Sequence, residues 1–267
     1  MALLSLSNIH KTFEKGTVNE NHVLRGLDLD IEQGDFISVI GGNGAGKSTL
    51  MNSITGVVEI DEGDIVLDGN SIRKASVAAR SKDISRVFQD PRMGTATNLT
   101  IEENMAIAYR RGKKRSFFKK SITEAERQLF KDKLSALGLG LENRMKTDAA
   151  FLSGGQRQAL TLAMATLVRP KILLLDEHTA ALDPKTSDMV MQLTKKVVEE
   201  EKLTTLMITH NMEHAIEYGN RLVMLYHGKI VVDVRGEEKK NLTVAQLMDL
   251  FHKNSGQVLN DDALVLG

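Results

Sequence analysis

No cysteine occurs among the 267 residues. That absence excludes disulfides, thiolate-bound zinc, iron–sulfur clusters and a cysteine nucleophile. Any metal must sit on oxygen or imidazole ligands, and the seven histidines leave imidazole open. Net charge is absent as well, with 35 Lys plus Arg against 35 Asp plus Glu. This balance argues against a protein whose main task is coating nucleic acid or an anionic membrane, and no nucleic-acid partner is expected. No stretch approaches the roughly 20 mostly apolar residues that cross a bilayer. The longest weakly polar one, Ala159 to Val168, contains Thr161 and Thr166. The opening MALLSLSNIHK lacks a basic n-region and reaches His10 and Lys11 too early for a signal peptide, so a cytosolic protein is expected. Internal repeats and low-complexity tracts are missing too. What is present, 42% hydrophobic and 26% charged residues, is ordinary globular composition. The length suits one large domain or two small ones around a buried core.

The first 40 residues have strand character. Leu3 to Ile9 and, more cleanly, Val23 to Ile31 alternate apolar with polar, the pattern of a half-exposed antiparallel sheet. Asp35 to Ile40 does not alternate and predicts a strand buried on both faces, running into a Gly-rich turn and a helix from Lys47. Ile172–Leu175, Thr204–Thr209 and Arg221–Leu225 are further buried-strand candidates, separated by helical stretches at Gln156–Val168 and Thr186–Glu201. Strand alternating with helix predicts a parallel sheet covered on both sides. The middle, Asp90 to Ala150, is different: helices at Ile101–Tyr109 and Thr123–Leu137 without strands between them, the first opened by the capping box Thr100/Glu103. Between those helices runs a basic cluster, Arg110, Arg111, Lys113, Lys114, Arg115, Lys119 and Lys120. It is expected to be a solvated loop, or alternatively an attraction to the anionic leaflet of a nearby membrane. Leu242 to Phe251 predicts one amphipathic helix, and Asn254 onward a loose tail.

Gly41-Gly42-Asn43-Gly44-Ala45-Gly46-Lys47-Ser48, followed by Thr49, fits G-x-x-x-x-G-K-[ST] between a buried strand and a helix. Glycines let backbone N–H groups wrap phosphates, and the helix start adds positive potential. Lys47 would neutralise β- and γ-phosphate charge, and Ser48 would offer its hydroxyl to Mg²⁺. By itself the loop says only that ATP or GTP binds. Ile172-Leu173-Leu174-Leu175-Asp176-Glu177 adds a strand that ends in two carboxylates. Asp176 is the expected anchor for Mg²⁺, and Glu177 the group that orients or deprotonates the attacking water. Magnesium prefers oxygen ligands, which suits a chain without cysteine.

Leu152-Ser153-Gly154-Gly155-Gln156 stands before a helix and ahead of Asp176. Here the sequence resembles the ATPase subunits of ABC transporters, whose signature is LSGGQ, and the resemblance runs from about residue 3 to 250. It implies an α/β fold: a P-loop NTPase core of RecA-like type with a mixed sheet, an N-terminal antiparallel β-subdomain and an inserted α-helical subdomain. One ABC ATPase domain would span 1–250, with 1–89 and 159–235 as β-subdomain and catalytic core and 90–158 as the helical part. Residues 236–267 would form a short C-terminal helix and tail. The resemblance further implies that Phe13 stacks on adenine, that Gln89 opens the helical subdomain and serves the Mg²⁺ site, and that His210 is the switch histidine. Asp183, in Ala181-Leu182-Asp183, matches the loop after the catalytic glutamate. Ser153, Gly154, Gly155 and Gln156 would meet the γ-phosphate held by a second copy, so that two ATP lie in a head-to-tail homodimer.

Departures from the family pattern are local. Gly42 and His178 stand where proline is usual, Phe13 where tyrosine is commoner, and Ala181 where serine is usual. His178 would contact a partner subunit, tune Glu177, or be a neutral replacement. The implied function is ATP hydrolysis driving a transporter whose transmembrane permease lies on other chains, at the cytoplasmic face of the membrane, with a substrate-binding protein as an indirect partner. The spelling from Asp176 to Pro184 resembles the group associated with amino-acid importers, tryptophan and tyrosine among them. The alternatives are a soluble ABC ATPase of iron–sulfur assembly or DNA-repair type, and the ATPase of a separate-chain exporter. No separate regulatory domain is expected after Phe251.

Overall fold

A strand covered on both faces has no side to offer water and is apolar without alternation. FISVI behaves so in the computed structural model, which describes residues 2–113 and 122–255: each of its five residues is buried. In chain order the elements begin with β1 (Leu4–Phe13), β2 (Asn21–Ile31), β3 (Phe36–Ile40), α1 (Lys47–Thr55), β4 (Glu62–Leu67), β5 (Asn70–Ser71) and α2 (Val77–Arg80). Then come β6 (Ile84–Val87), α3 (Ile101–Tyr109), α4 (Glu124–Ser135), α5 (Gly154–Leu167), β7 (Ile172–Asp176) and α6 (Pro184–Glu200). The chain continues with β8 (Thr205–Ile208), α7 (Met212–Glu217), β9 (Arg221–Tyr226), β10 (Lys229–Arg235), α8 (Gly236–Lys240) and α9 (Val244–Ser255). No described helix is long and apolar enough to cross a membrane.

Two compact units result. The first takes residues up to 80 and those from 202 onward. Its antiparallel sheet has the order β2-β1-β4-β5, with Leu4 opposite Ile31 on one side and Leu67 on the other. The alternation along β2 puts Leu24, Leu27, Leu29 and Ile31 inside. A second, mixed array has β3 between β8 and β9, both parallel to it, while β10 returns antiparallel to β9. α9 covers its β9–β10 side: Leu247, Met248 and Phe251 pack with Leu222, Met224, Val232 and Val234. Burying Phe251 alone stabilises this arrangement by about 1.5–3 kcal/mol.

The second unit spans Ser81–Glu201. It pairs β6 and β7 in parallel, Ile84 opposite Ile172 and Val87 opposite Leu175. Its remaining described residues are helices and turns, as the pattern from Asp90 to Ala150 predicts. Capping boxes open α3 (Thr100/Glu103), α4 (Thr123/Glu126) and α5 (Ser153/Gln156). Glu102, buried on α3, joins Arg127 of α4 and Lys146 of the following turn.

Several features depart from the sequence expectations. The β4–β5 hairpin, β10 and α8 were not anticipated; β5 has only two residues and α8 five, too few to show a period. The last helix reaches Ser255, so Asn254 belongs to it rather than to a tail. The remainder of the expected tail, 256–267, lies outside the described residues, as do Lys114, Arg115, Lys119 and Lys120 of the basic cluster. Arg111 of that cluster is not a solvated charge. Its guanidinium donates to Ala165 O at 3.1 Å, to Val168 O and to Ser85 Oγ, closing the carboxyl end of α5. Burial lowers its pKa from the ordinary arginine value. Lys113 lies over the Tyr109 ring, 3.2 Å from its centroid.

Candidate nucleotide site

The expected site residues fall into two sets, one on each unit. On the first unit, β3 ends at Ile40 and β8 at Ile208, as parallel neighbours. The loop after β3 and His210 after β8 therefore leave the same carboxyl edge, where parallel sheets place ligands. Two glycines make the loop possible. At Gly41 (φ 151°) a Cβ would stand 2.3 Å from Leu225 O, and at Gly46 (φ 103°) it would stand 2.9 Å from Leu24 Cδ2. Gly42 and Ala45 close a turn through Ala45 N–H to Gly42 O at 3.1 Å, leaving Asn43 and Gly44 exposed at the tip.

Gly46 is also the N-cap of α1, and this helix start has neither a capping side chain nor an acidic residue in its first turn. The N–H groups of its first turn and the positive end of the helix dipole are suited to an anion. Lys47, 8% exposed, donates to Gly41 O at 2.6 Å and Gly42 O at 3.2 Å, which holds its ammonium against the loop. Ser48 is exposed beside it, and Thr49 is half-buried.

Phe13 ends β1, opposite Asn21 at the start of β2. Val23 and Leu24 of β2 are the residues that pack against Gly46. The aromatic thus stands about two strand residues, roughly 7 Å along β2, from the loop. Phe13 is 37% exposed, with Lys11 Nζ 5.4 Å from its ring centroid. It is a surface ring open to stacking and not a core aromatic. His210 is exposed between Thr209, whose N–H donates to Val39 O at 3.1 Å, and Asn211, whose side chain caps α7 by accepting His214 N–H at 2.8 Å.

On the second unit, β6 leads to exposed Gln89 and β7 to Asp176 and Glu177. Gln158, buried on α5, donates to Phe88 O at 3.4 Å and ties the start of the Gln89 loop to the signature helix. Ser153 caps α5: its hydroxyl accepts Gln156 N–H at 3.3 Å, and Gln156 Oε1 accepts Ser153 N–H at 3.3 Å. The Ser153 O–H itself meets no acceptor among the described residues and is available to donate. Arg157 clasps the preceding turn through Ala149 O, Ala150 O and Leu152 O.

Gly154 and Gly155 let α5 approach the start of α6. A Cβ on Gly154 would stand 3.1 Å from Leu182 Cδ2, and one on Gly155 only 2.4 Å from Thr186 Cγ2. Asp183 caps α6 by accepting Thr186 N–H at 3.1 Å, with Pro184 at the first helical position. Hydrogen bonds from the Thr186 side chain and backbone hold its carboxyl below the ordinary value.

One site neighbour, Arg86, escaped sequence reasoning. Arg86 Nη2 contacts Asp176 Oδ2 at 2.5 Å, giving this carboxylate a cation of its own. The available signal was a charged residue in the short segment Ile84–Val87, between Ile84 and Val87, both buried, where a charge needs a partner. His178 is 2% exposed and bonds Thr194 of α6, so its ring does not face a partner subunit.

No cluster of three or more His, Asp or Glu able to hold a metal occurs among the described residues. The hydroxyl of Ser48, the amide oxygen of Gln89 and the carboxylate of Asp176 are nevertheless a hard-oxygen set. Each is an oxygen donor of the kind magnesium prefers, Ser48 on the first unit and Gln89 and Asp176 on the second.

A family model described as ABC transporter matches residues 24–180. The chain is 45% identical over 249 residues to a tyrosine transport ATP-binding protein of Clostridioides difficile (strain R20291), covering 93% of this chain and 98% of that protein. It is 33% identical over 267 residues to the phosphonates import ATP-binding protein PhnC of Lactobacillus johnsonii (strain CNCM I-12250 / La1 / NCC 533), covering 98% and 100%. Among solved structures, the dimeric post-hydrolysis state of the ATP-binding cassette MJ0796 bound to ADP and Pi superposes with a TM-score of 0.73 at 29% identity. It covers 87% of this chain and 98% of that one.

Proposed function

Because the chain belongs to the ABC transporter family, we propose that it is the ATP-hydrolysing subunit of an importer for a small solute such as an amino acid. The observation that carries this reading is the cradle at the start of α1, an uncapped helix end behind a glycine loop with Lys47 held against it. The ATP phosphates lie on the N–H groups of 41–48, and Lys47 exchanges the carbonyls of Gly41 and Gly42 for β- and γ-phosphate oxygens. Phe13 stacks on the adenine. Ser48, Gln89 and Asp176 would hold magnesium, which when bound supplies positive charge that offsets the phosphates. Arg86 uses Oδ2 of Asp176, and Oδ1 remains for the cation or its water.

Glu177 orients and deprotonates the attacking water, and His210 donates to the γ-phosphate. The water oxygen bonds to the γ-phosphorus as the bond to the β,γ-bridging oxygen breaks, leaving ADP and phosphate. Ser153, with Gly154, Gly155 and Gln156, binds the γ-phosphate carried by a second copy, and Asp183 joins the same contact. Two copies thereby enclose two ATP head to tail. Residues 90–158 pass closure on to permease chains at the cytoplasmic face of the cell membrane, and a substrate-binding protein selects the solute. The likeness to the tyrosine transport protein supports an amino acid as that solute.

Glu177→Gln tests the reading. The variant should bind ATP and form an ATP-dependent dimer by size exclusion while releasing no phosphate, and sustained phosphate release would rule out the assignment of Glu177. A multi-span membrane protein should co-purify with the wild type, and its absence would favour a soluble ABC ATPase.

A further inference from the structure

Glu177 has φ 44°, in the left-handed region that a side chain with a Cβ occupies only at a cost. Such a residue stays there when its surroundings fix it. One tie is local, the turn closed by Ala180 N–H to Glu177 O at 2.9 Å. Another begins at the next residue.

The ring of His178 enters the buried face of α6, where it meets Thr194, itself 0% exposed, on the face formed by Val190, Met191, Val197 and Val198. Thr194 uses its single hydroxyl hydrogen on Val190 O at 2.8 Å. His178 Nε2, 3.0 Å from the Thr194 oxygen, is therefore the donor, and the tautomer is set by the helix. A buried hydroxyl whose hydrogen is spent on the helix can meet the ring only as an acceptor, so the bond ties the ring to α6 and sets its protonation pattern. The peptide unit joining Glu177 to His178 is planar. Locking residue 178 onto α6 leaves residue 177 only its own φ and ψ to absorb any movement.

We propose that His178 is a positioning residue for hydrolysis: its hydrogen bond to Thr194 holds Glu177 in the backbone conformation from which the carboxylate acts on water. The inference rests on the ATPase reading above. It differs from a filling role in one respect. A filler needs only volume, whereas this anchor needs a donor at the Nε2 position. Glutamine carries an amide nitrogen the same number of bonds from Cα and can supply that donor, while leucine cannot.

The experiment uses the full chain, with steady-state ATPase, equilibrium ATP binding and melting temperature measured for wild type, His178→Leu, Thr194→Val, the double variant, His178→Gln and Glu177→Gln. Releasing the anchor lets Glu177 leave the left-handed region. His178→Leu and Thr194→Val should therefore each lower kcat by about five- to thirtyfold, with KM and ATP binding unchanged. The double variant should lose no more than either single one, and His178→Gln should recover most of the rate. The proposal fails if Thr194→Val keeps the wild-type kcat, if KM rises in step with the loss, or if His178→Gln is as slow as His178→Leu. Should His178→Leu not fold, Thr194→Val and His178→Gln decide alone. An inactive wild type, or a Glu177→Gln variant as fast as wild type, would overturn the ATPase reading. Normal rates in the His178 and Thr194 variants beside an inactive Glu177→Gln would overturn only the anchor.

Discussion

Replacing Gly155 by alanine should destabilise the second unit even though alanine is the better helix former. Gly155 is the second residue of α5, and its Cβ would stand 2.4 Å from Thr186 Cγ2 and 3.3 Å from Met189 Cε. The first distance is a hard overlap with a side chain whose backbone N–H already caps on Asp183, so Thr186 has little room to retreat. Overpacking of this kind costs about 1–3 kcal/mol, against a helix-propensity gain of up to about 1 kcal/mol. The net loss of about 1–2 kcal/mol lowers the melting temperature by roughly 2–8 °C in a chain of this size.

The sign should reverse when the obstructing methyl is removed. Thr186→Ser deletes Cγ2 and leaves Thr186 Cβ as that residue's nearest atom, at 3.9 Å, an ordinary contact. In that background Gly155→Ala should be neutral or stabilising by up to about 1 kcal/mol. Differential scanning calorimetry on the four members of the cycle reads the coupling directly. An unchanged melting point for Gly155→Ala, or an equal loss in both backgrounds, would refute the argument that contact between the two helix starts requires this glycine.

The acid response of the Glu102 cluster and the Arg86 contact give two further checks. Burial alone would raise the Glu102 pKa, but hydrogen bonds from Lys146 and Arg127 outweigh it, and the value lies below the ordinary 4.5. Its contribution is therefore complete above that pH and lost as pH falls through the lowered folded value. Glu102→Gln should cost about 1–2 kcal/mol near neutrality, since both cations also reach water. Denaturation profiles of variant and wild type should converge below the ordinary value, and a gap that widens in acid would sink the assignment. Arg86→Met removes the cation beside Asp176. It should lower the magnesium concentration for half-maximal ATPase about three- to fivefold, and a higher requirement would mean that Arg86 instead shapes the site.

The sequence made legible whatever depends on neighbours in the chain. The apolar runs before Gly41 and Asp176 are strands, the phosphate loop opens a helix, and Thr100 with Glu103 caps α3 as expected. Ser153 with Gln156 carries the same cap signal inside the LSGGQ signature, and the structure shows that cap. Pairings across long separations were not legible. Arg86 and Asp176 are 90 residues apart, and Arg111 reaches Ala165 and Val168 from beyond 50 residues away. Neither partner carries a mark of the other. His178 illustrates an intermediate case: its substitution for proline was visible, but the hydroxyl that receives its proton lies on a buried helix face whose orientation the local pattern does not encode.

One consequence follows from the contrast between α1 and α5. α5 supplies its own cap from Ser153 and Gln156, whereas α1 begins at a glycine and has no side-chain cap. On the proposed reading a phosphate is the complement of α1, and the nucleotide would supply the cap that no side chain provides. Folding and substrate binding are then one linked equilibrium. At a ligand concentration a hundredfold above its dissociation constant the folded state gains about 2.7 kcal/mol. The resting stability of this protein is in that sense set by the nucleotide supply around it as well as by its own residues.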